Sequence, residues 1–261
     1  MLDFHNHLMP GVDDGAADIH ESRKGLQTLR SQGVIEIITT PHFQASSAAR
    51  PRELELHLAA LDDAWDKLNA LAVAEFPGMR VERGVEVALD IPHPRLDDER
   101  LRLAGTSFAL VEFPHMSIPP NSTLAVRELV RSGVTPIIAH PERYSGMAAN
   151  PDILASWRDS GARIQVNSGS LLGYYGASPK RLAWEILSRG MADYLSSDYH
   201  SRGKCPVAEC ASIMKEKGGE AQHRLLTTTN TRRVLLDQPP LPVPPLQPAE
   251  PPIWKRVIPW R

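Results

Sequence analysis

Apolar and polar positions along this chain follow two periods, and the switches between them divide it into a repeated order of strand and helix. Short apolar runs bounded by Gly, Pro or polar clusters predict buried strands at Leu2 to His5, Val34 to Thr39, Met79 to Leu89, Ser107 to Phe113, Val134 to Ala139, Ala162 to Val166 and Ala192 to Ser196. Helical spacing predicts helices over Asp18 to Gln32, Pro51 to about Phe76, Asn121 to Ser132, Pro151 to Ser160 and Pro179 to Arg189. In the longest of these, Leu54, Leu58, Leu61, Trp65 and Leu68 share one face. Pro206 to Lys217 and Glu220 to Leu226 predict closing helices, and from Asp237 onward prolines crowd the chain. Residues 1–236 are therefore expected to form one barrel domain and 237–261 a proline-rich tail. Pro239 to Pro252 should be extended, because each proline fixes φ and removes a donor.

Seven alternations of strand and helix call for a parallel sheet flanked by helices. The placement of polar residues selects its closure. His5 and His7, His42, Glu86, Glu112, His140, then Asp198 and His200 fall at or near the C-terminal ends of successive predicted strands. In a closed β/α barrel those ends converge on one mouth, whereas in an open sheet they spread along a line. The expected fold is α/β, a distorted barrel of about seven strands.

Composition removes several classes of function. A formal net charge of -2 gives no broad nucleic-acid-binding face. No apolar run reaches bilayer length, and Asp3, His5, His7 and Asp13 interrupt any signal-peptide core. The cysteines, Cys205 and Cys210, make no disulfide framework and fit a reducing cytoplasm. Neither has an arginine six positions on, so the cysteine-phosphatase loop is absent, as are a P-loop and a dinucleotide-binding glycine motif.

What remains is metal chemistry. A carboxylate inside an apolar strand needs a cation beside it, and Glu86 and Glu112 both stand in that position. With His5, His7, His42, His140, His200, Asp198 and either Asp13 or Asp14 they form a donor set too large for one ion, so two or three are implied. Imidazole and carboxylate without cysteine suit Mn²⁺, Fe, Zn²⁺ or Mg²⁺. Three divalent cations against four carboxylates leave surplus positive charge, which complements a phosphate dianion. Arg143, just past the fifth strand, either grips that phosphate or makes a surface ion pair. His20, His57, His93, His115 and His223 read as surface residues.

The motifs Phe4-His5-Asn6-His7, Pro10-Gly11-Val12-Asp13-Asp14-Gly15, Thr40-Pro41-His42, Gly84-Val85-Glu86, Val111-Glu112-Phe113-Pro114, Ala139-His140-Pro141-Glu142-Arg143-Tyr144 and Ser197-Asp198-Tyr199-His200 resemble those of the bacterial CpsB/YwqE-type protein-tyrosine phosphatases. These belong to the polymerase-and-histidinol-phosphatase (PHP) superfamily, and the resemblance runs from about Leu2 to Arg233. It implies the PHP fold, a distorted (β/α)7 TIM-like barrel, with a site of two to three divalent ions, usually Mn²⁺, with Fe, Zn, Co or Mg as alternatives. It implies hydrolysis of phosphotyrosine on a membrane-bound tyrosine autokinase of capsule or exopolysaccharide biosynthesis, in the cytoplasm or peripheral to the inner membrane. The ligands carried over are His5, His7, Asp14, His42, Glu86, Glu112, His140, Asp198 and His200, with Asp13 in a supporting place. Arg143, Asp198 and His200 are the catalytic candidates, and Arg143 takes the place of the phosphate-binding arginine.

Three departures stand out. Asn6 replaces a common serine, and Phe43-Gln44-Ala45-Ser46-Ser47 lacks the basic and tyrosine residues often found there. The second substrate-binding arginine corresponds to Arg202 by identity or Lys204 by alignment. The competing expectations are a PHP phosphoesterase for a small phosphomonoester, such as histidinol phosphate or a sugar phosphate, and a non-enzymatic scaffold. Ile253 to Arg261 mixes two tryptophans with three cationic residues, which suggests either a weak membrane or kinase tether or a strap that packs back onto the barrel.

Overall fold

The computed structural model describes residues 1–150 and 152–246. Among the described residues there are nine strands: β1 Leu2–Asp3, β2 Glu36–Thr39, β3 His42–Gln44, β4 Arg80–Arg83, β5 Glu86–Ala88, β6 Phe108–Glu112, β7 Thr135–Ala139, β8 Arg163–Asn167 and β9 Tyr194–Ser196. All pair in parallel, in the orders β1-β2-β4 and β3-β5-β6-β7-β8-β9. The two sheets are one barrel. Only Thr40-Pro41 separates β2 from β3, and only Gly84-Val85 separates β4 from β5. The register survives both interruptions, with Thr39 opposite Arg83 and His42 opposite Glu86. Pro41 has no N–H to give to a ladder, which explains the first break. At Gly84 a Cβ would meet Leu103 Cδ2 at 3.0 Å and the Arg102 carbonyl at 3.1 Å, so this glycine admits a close approach of the following connection. The predicted strand from Met79 to Leu89 is thus one barrel stave in two pieces. The far edges close where Asn6 pairs with Tyr199: His7 N–H donates to the Tyr199 carbonyl at 2.9 Å and Asp198 N–H to the His5 carbonyl at 2.8 Å. The result is the expected distorted barrel of seven staves.

Period-two alternation sorts the strand residues. Leu2, Phe4, Ile38, Phe108, Leu110, Ile137, Ala139 and Tyr194 fill the barrel with Leu103 and Val234. Ala109, Val111, Ile138, Ile164, Val166 and Leu195 face outward into the helix layer. Each fully buried large side chain contributes about 1.5–3 kcal/mol. The first helix, Ile19–Ser31, starts where the Asp18 side chain accepts from the N–H groups of His20 and Glu21. The second long helix, Pro51–Glu75, has proline in its first turn, where no intrahelical donor is lost.

Three features depart from the periodic reading. Short helices at Ala45–Ala48 and Ser168–Leu172 follow strand ends directly. The last helical region continues past Leu226, through a π-helical turn at Leu225–Thr229 into Asn230–Leu235. Its inner face carries buried Asn230 and Thr231, which disguise the apolar period.

The chain after 236 has no helix or strand through Leu246, as its prolines require, yet it lies on the barrel. Asn230 Nδ2 donates to the Leu241 carbonyl at 3.0 Å and Asn230 Oδ1 accepts the Leu241 N–H at 2.9 Å. Gln222 donates to the Pro244 carbonyl at 2.8 Å, Val243 is buried, and Asp237 accepts the N–H and hydroxyl of Ser107 at 2.8 and 2.6 Å. Contacts in this stretch thus reach further than a free spacer from Asp237 would allow, because extended prolyl carbonyls remain open to side-chain amides. The segment from Ile253 to Arg261 lies outside the described residues. Among the described residues no helix is long and apolar enough to cross a membrane.

Candidate metal centre

The staves end at one mouth, and every predicted ligand is there. Donor atoms of His5, His7 and Glu86 lie within 4.8 Å of one another, as do those of His5, His140 and Asp198, of His42, Glu86 and Glu112, and of His7, Asp14, His42 and His200. The four groups share residues, so the nine side chains form one continuous cluster. Glu86 is its hub: Oε2 lies 3.2 Å from His5 Nε2 and 3.1 Å from His42 Nδ1, while Oε1 lies 3.0 Å from His140 Nε2. Asp198 Oδ1 lies 3.3 Å from His5 Nε2 and 3.4 Å from His7 Nε2. On the outer side, Asp14 Oδ1 lies 3.5 Å from His42 Nε2 and 3.4 Å from His200 Nε2. His7 and His200 stack with ring centroids 3.9 Å apart.

Local backbone geometry aims these groups. Strict alternation cannot put both Phe4 and His5 inside the barrel. The chain leaves strand geometry after Asp3, so Phe4 packs on Tyr194 while His5 reaches Gln165. His140 and Asp198 have φ of 34° and 54°, a strained region for residues with a side chain. Both follow the end of a strand, and the left-handed turn redirects them across the mouth. Gly15 is required by contact: a Cβ there would lie 2.2 Å from the His7 carbonyl oxygen.

Buried polar residues that are not themselves clustered hold the ones that are. Asp13 Oδ2 accepts from His7 Nδ1 at 2.6 Å and from the His42 N–H at 3.1 Å. This separates the neighbouring aspartates, Asp13 behind the cluster and Asp14 in it. Asn167 donates to Asp198 Oδ2 at 2.7 Å, and Arg143 Nη1 donates to the same oxygen at 2.7 Å. Glu142 accepts the Asn167 N–H and the Ser170 hydroxyl. Gln165, Asn167 and Glu142 were not anticipated as site residues. The signal available was the polar face of β8, which on its own reads as a solvent-facing stripe.

The electrostatics fit divalent cations. His5 Nε2, His7 Nε2 and Glu86 Oε2 are buried without a hydrogen-bond partner and converge. Burial opposes ionisation of Glu86 and Asp198, but His5 and its neighbours outweigh it and hold both carboxylates below their usual range. Glu112 goes the other way, pushed up to about 7 by burial and by the charge of Glu86. Protons on imidazoles thus do in the metal-free chain what cations do better.

A groove of about 580 Å³ opens beside the cluster. Asp14, His42 and Glu112 line it together with the apolar Val12, Phe43 and Leu61. His57, expected at the surface, is exposed but lines this groove, edge-on to Phe43 at 6.0 Å. His20, His93 and His115 are exposed, and His223 is half-buried away from the cluster. Arg202 Nη2 donates to the Gly15 carbonyl at 3.1 Å, beside Asp14. Lys204 is paired with Glu209 instead.

Known proteins resemble this chain over most of its length. Tyrosine-protein phosphatase YwqE of Bacillus subtilis (strain 168) is 30% identical over 255 residues, covering 93% of this chain and 96% of that protein. Tyrosine-protein phosphatase CpsB of Streptococcus pneumoniae is 26% identical over 254 residues, covering 91% and 99%. A solved structure from work on these two proteins, described as unique metal-dependent tyrosine phosphatases, superposes with a TM-score of 0.78 at 27% identity, covering 96% of this chain and 100% of that one. The family model for capsular polysaccharide synthesis, CpsB/CapC, matches residues 1–236, and this chain belongs to that family.

Proposed function

We propose that this chain is a metal-dependent protein-tyrosine phosphatase that acts on a tyrosine autokinase of capsule or exopolysaccharide biosynthesis. The observation that carries this reading is the single cluster of five imidazoles and four carboxylates with the Arg143 guanidinium against it. Its relatives are named tyrosine-protein phosphatases, and its family is one of capsular polysaccharide synthesis.

The proposed ligands form overlapping groups that two or three ions would share: His5, His7 and Glu86; His5, His140 and Asp198; His42, Glu86 and Glu112; and, at the outer side, His7, Asp14, His42 and His200. Mn²⁺ suits this oxygen- and nitrogen-rich set. Bound divalent ions supply Lewis acidity toward phosphoryl oxygens and acidify water. The protein does the rest. Arg143 has donors left over after its bond to Asp198 and offers them to the phosphoryl group. Arg202, which also pairs with Glu21 at 3.6 Å, is the proposed second cation in preference to Lys204 because it reaches the Gly15 edge of the cluster. Val12, Phe43 and Leu61 give the groove an apolar wall for an aromatic ring. A phenol of pKa about 10 leaves without strong acid assistance, and an aliphatic alcohol does not. The apolar wall supports an aryl phosphate over a sugar phosphate. Cys205 and Cys210 take no part, since burial pushes both thiols up to about 12. The two tryptophans and three cations of 253–261 favour a weak contact with the cytoplasmic membrane face, near a membrane-bound kinase.

The test compares a phosphotyrosine peptide with a sugar phosphate and histidinol phosphate, on protein purified without chelator and assayed for metal. The expected result is at least a tenfold preference in kcat/KM for the peptide, lost on chelation and kept when both cysteines are replaced. Equal or reversed preference returns the small-molecule phosphoesterase.

A further inference from the structure

We infer that Tyr175 is a positioning residue for Arg143, an assignment that rests on reading Arg143 as the phosphoryl-binding arginine. The Arg143 guanidinium carbon lies 4.1 Å from the centroid of the Tyr175 ring, on the ring face. Among the described residues, its side chain makes one hydrogen bond, Nη1 to Asp198 Oδ2 at 2.7 Å. One bond at one nitrogen leaves a guanidinium free to swing about that contact. A ring against its flat face removes the swing and keeps the other donors directed at the mouth, a geometry in which the cation is also attracted to the π face.

The seat of this ring is built into the chain. The short helix Ser168–Leu172 ends at Gly173 with φ of 90°, and the loop turns again at Gly176 with φ of 99°. Between them stand Tyr174 and Tyr175. A Cβ on Gly169 would meet Tyr175 Cε2 at 3.1 Å and Tyr174 Cδ2 at 3.3 Å, so the glycine makes room for both rings against the helix. Tyr174 pins the loop from the other side: its hydroxyl donates to Glu209 at 3.1 Å, and Glu209 also takes the ammonium of Lys204. Lys204 thereby acts on the site through a loop anchor. Gly169 thus gives both rings room, and Tyr174, Glu209 and Lys204 tie the loop that carries Tyr175.

A clamp of this kind acts on phosphate affinity, in the substrate and in the product alike. The experiment therefore titrates inorganic phosphate into the metal-loaded full-length chain by calorimetry, beside kinetics on a phosphotyrosine peptide. Tyr175→Ala and Tyr175→Leu are expected to weaken phosphate binding and raise KM by about two- to fivefold, with kcat changed far less. Tyr175→Phe keeps the ring and restores wild-type values. In an Arg143→Ala background, Tyr175→Ala should cost nothing further. Equal losses with and without Arg143, or a Tyr175→Phe variant as weak as Tyr175→Ala, overturn the assignment. A wild-type chain that binds phosphate but spares the peptide would refute the phosphatase reading, while the phosphate series still decides the role of Tyr175.

Discussion

The side-chain oxygen of Gln165 lies 2.9 Å from His5 Nδ1, with both residues fully buried. The Gln165 amide nitrogen is committed elsewhere, donating to the Val166 carbonyl and to Asn167 Oδ1 at 2.8 Å each. The oxygen must therefore face the ring, Nδ1 must carry the hydrogen, and the Nε2 lone pair is left for a metal. Replacing Gln165 by Met keeps the volume and removes the acceptor. Affinity for the ion that His5 holds should fall by about 10–100-fold, as read by competition with a chelating dye. Unchanged affinity would mean that other contacts set the tautomer.

Metal loading should release protons. In the metal-free chain burial disfavours charge on His5, but Glu86 and Asp198 outweigh it and lift its pKa to about 9. His7 is raised as well, burial again being overcome by Asp13 and Asp198. A ligating imidazole must be neutral, so near pH 7.5 each such proton is displaced and apparent affinity climbs with pH toward about 9. Calorimetry in buffers of different ionisation heat counts the protons, and a buffer-independent heat would contradict this.

The same shift makes metal-free stability depend on pH. A raised folded pKa contributes stability that is complete below the unfolded value near 6.5 and is lost as pH rises through about 9. The chelated protein should melt at progressively lower temperature across that window, and the loaded protein should not. A flat Tm for the chelated protein would remove the proposed proton–carboxylate pairing.

Arg143→Ala should lower kcat/KM by about ten- to a hundredfold, the worth of a charge-assisted bidentate contact. Metal content should hold, because Asp198 keeps its bond from Asn167 at 2.7 Å. Normal kinetics would reduce Arg143 to an ion-pair partner of Asp198, and loss of metal would make it structural.

Truncation after Asp237 removes both Leu241 bonds of the buried Asn230 amide, leaving its oxygen unpartnered while its nitrogen keeps the Asp193 carbonyl at 3.1 Å. An unsatisfied buried amide costs about 1–3 kcal/mol, which for a domain of this size lowers Tm by roughly 3–10 °C. Truncation after Leu246 keeps these contacts and should melt higher than truncation after Asp237, and both forms should hydrolyse a small peptide normally at low temperature. Equal Tm values for the two truncations would show that residues 238–246 contribute nothing.

The barrel and its nine clustered residues were legible because each signal is local. Glu86, Glu112 and His140 interrupt or end apolar strands, and a charge there has no cheap explanation other than a cation. Repeated once per stave, that anomaly also identifies the end of the barrel at which they meet. The supporting residues were not legible, for an equally physical reason. Arg163-Ile164-Gln165-Val166-Asn167 alternates as any half-exposed strand does, and periodicity separates two faces without saying that the polar one lines a buried site. Asp13 and Asp14 are neighbours of one chemistry, and only the turn that packs Gly15 on His7 sends one behind the cluster and the other into it. Asn230 falls beyond the last predicted helix, and only the return of the chain lays Leu241 across it. Tyr175 sits on a loop with no period at all, and its meeting with Arg143 exists only once β7 and β8 lie side by side. Local pattern thus determined which residues gather at the mouth of the barrel, and tertiary closure decided which neighbours orient them.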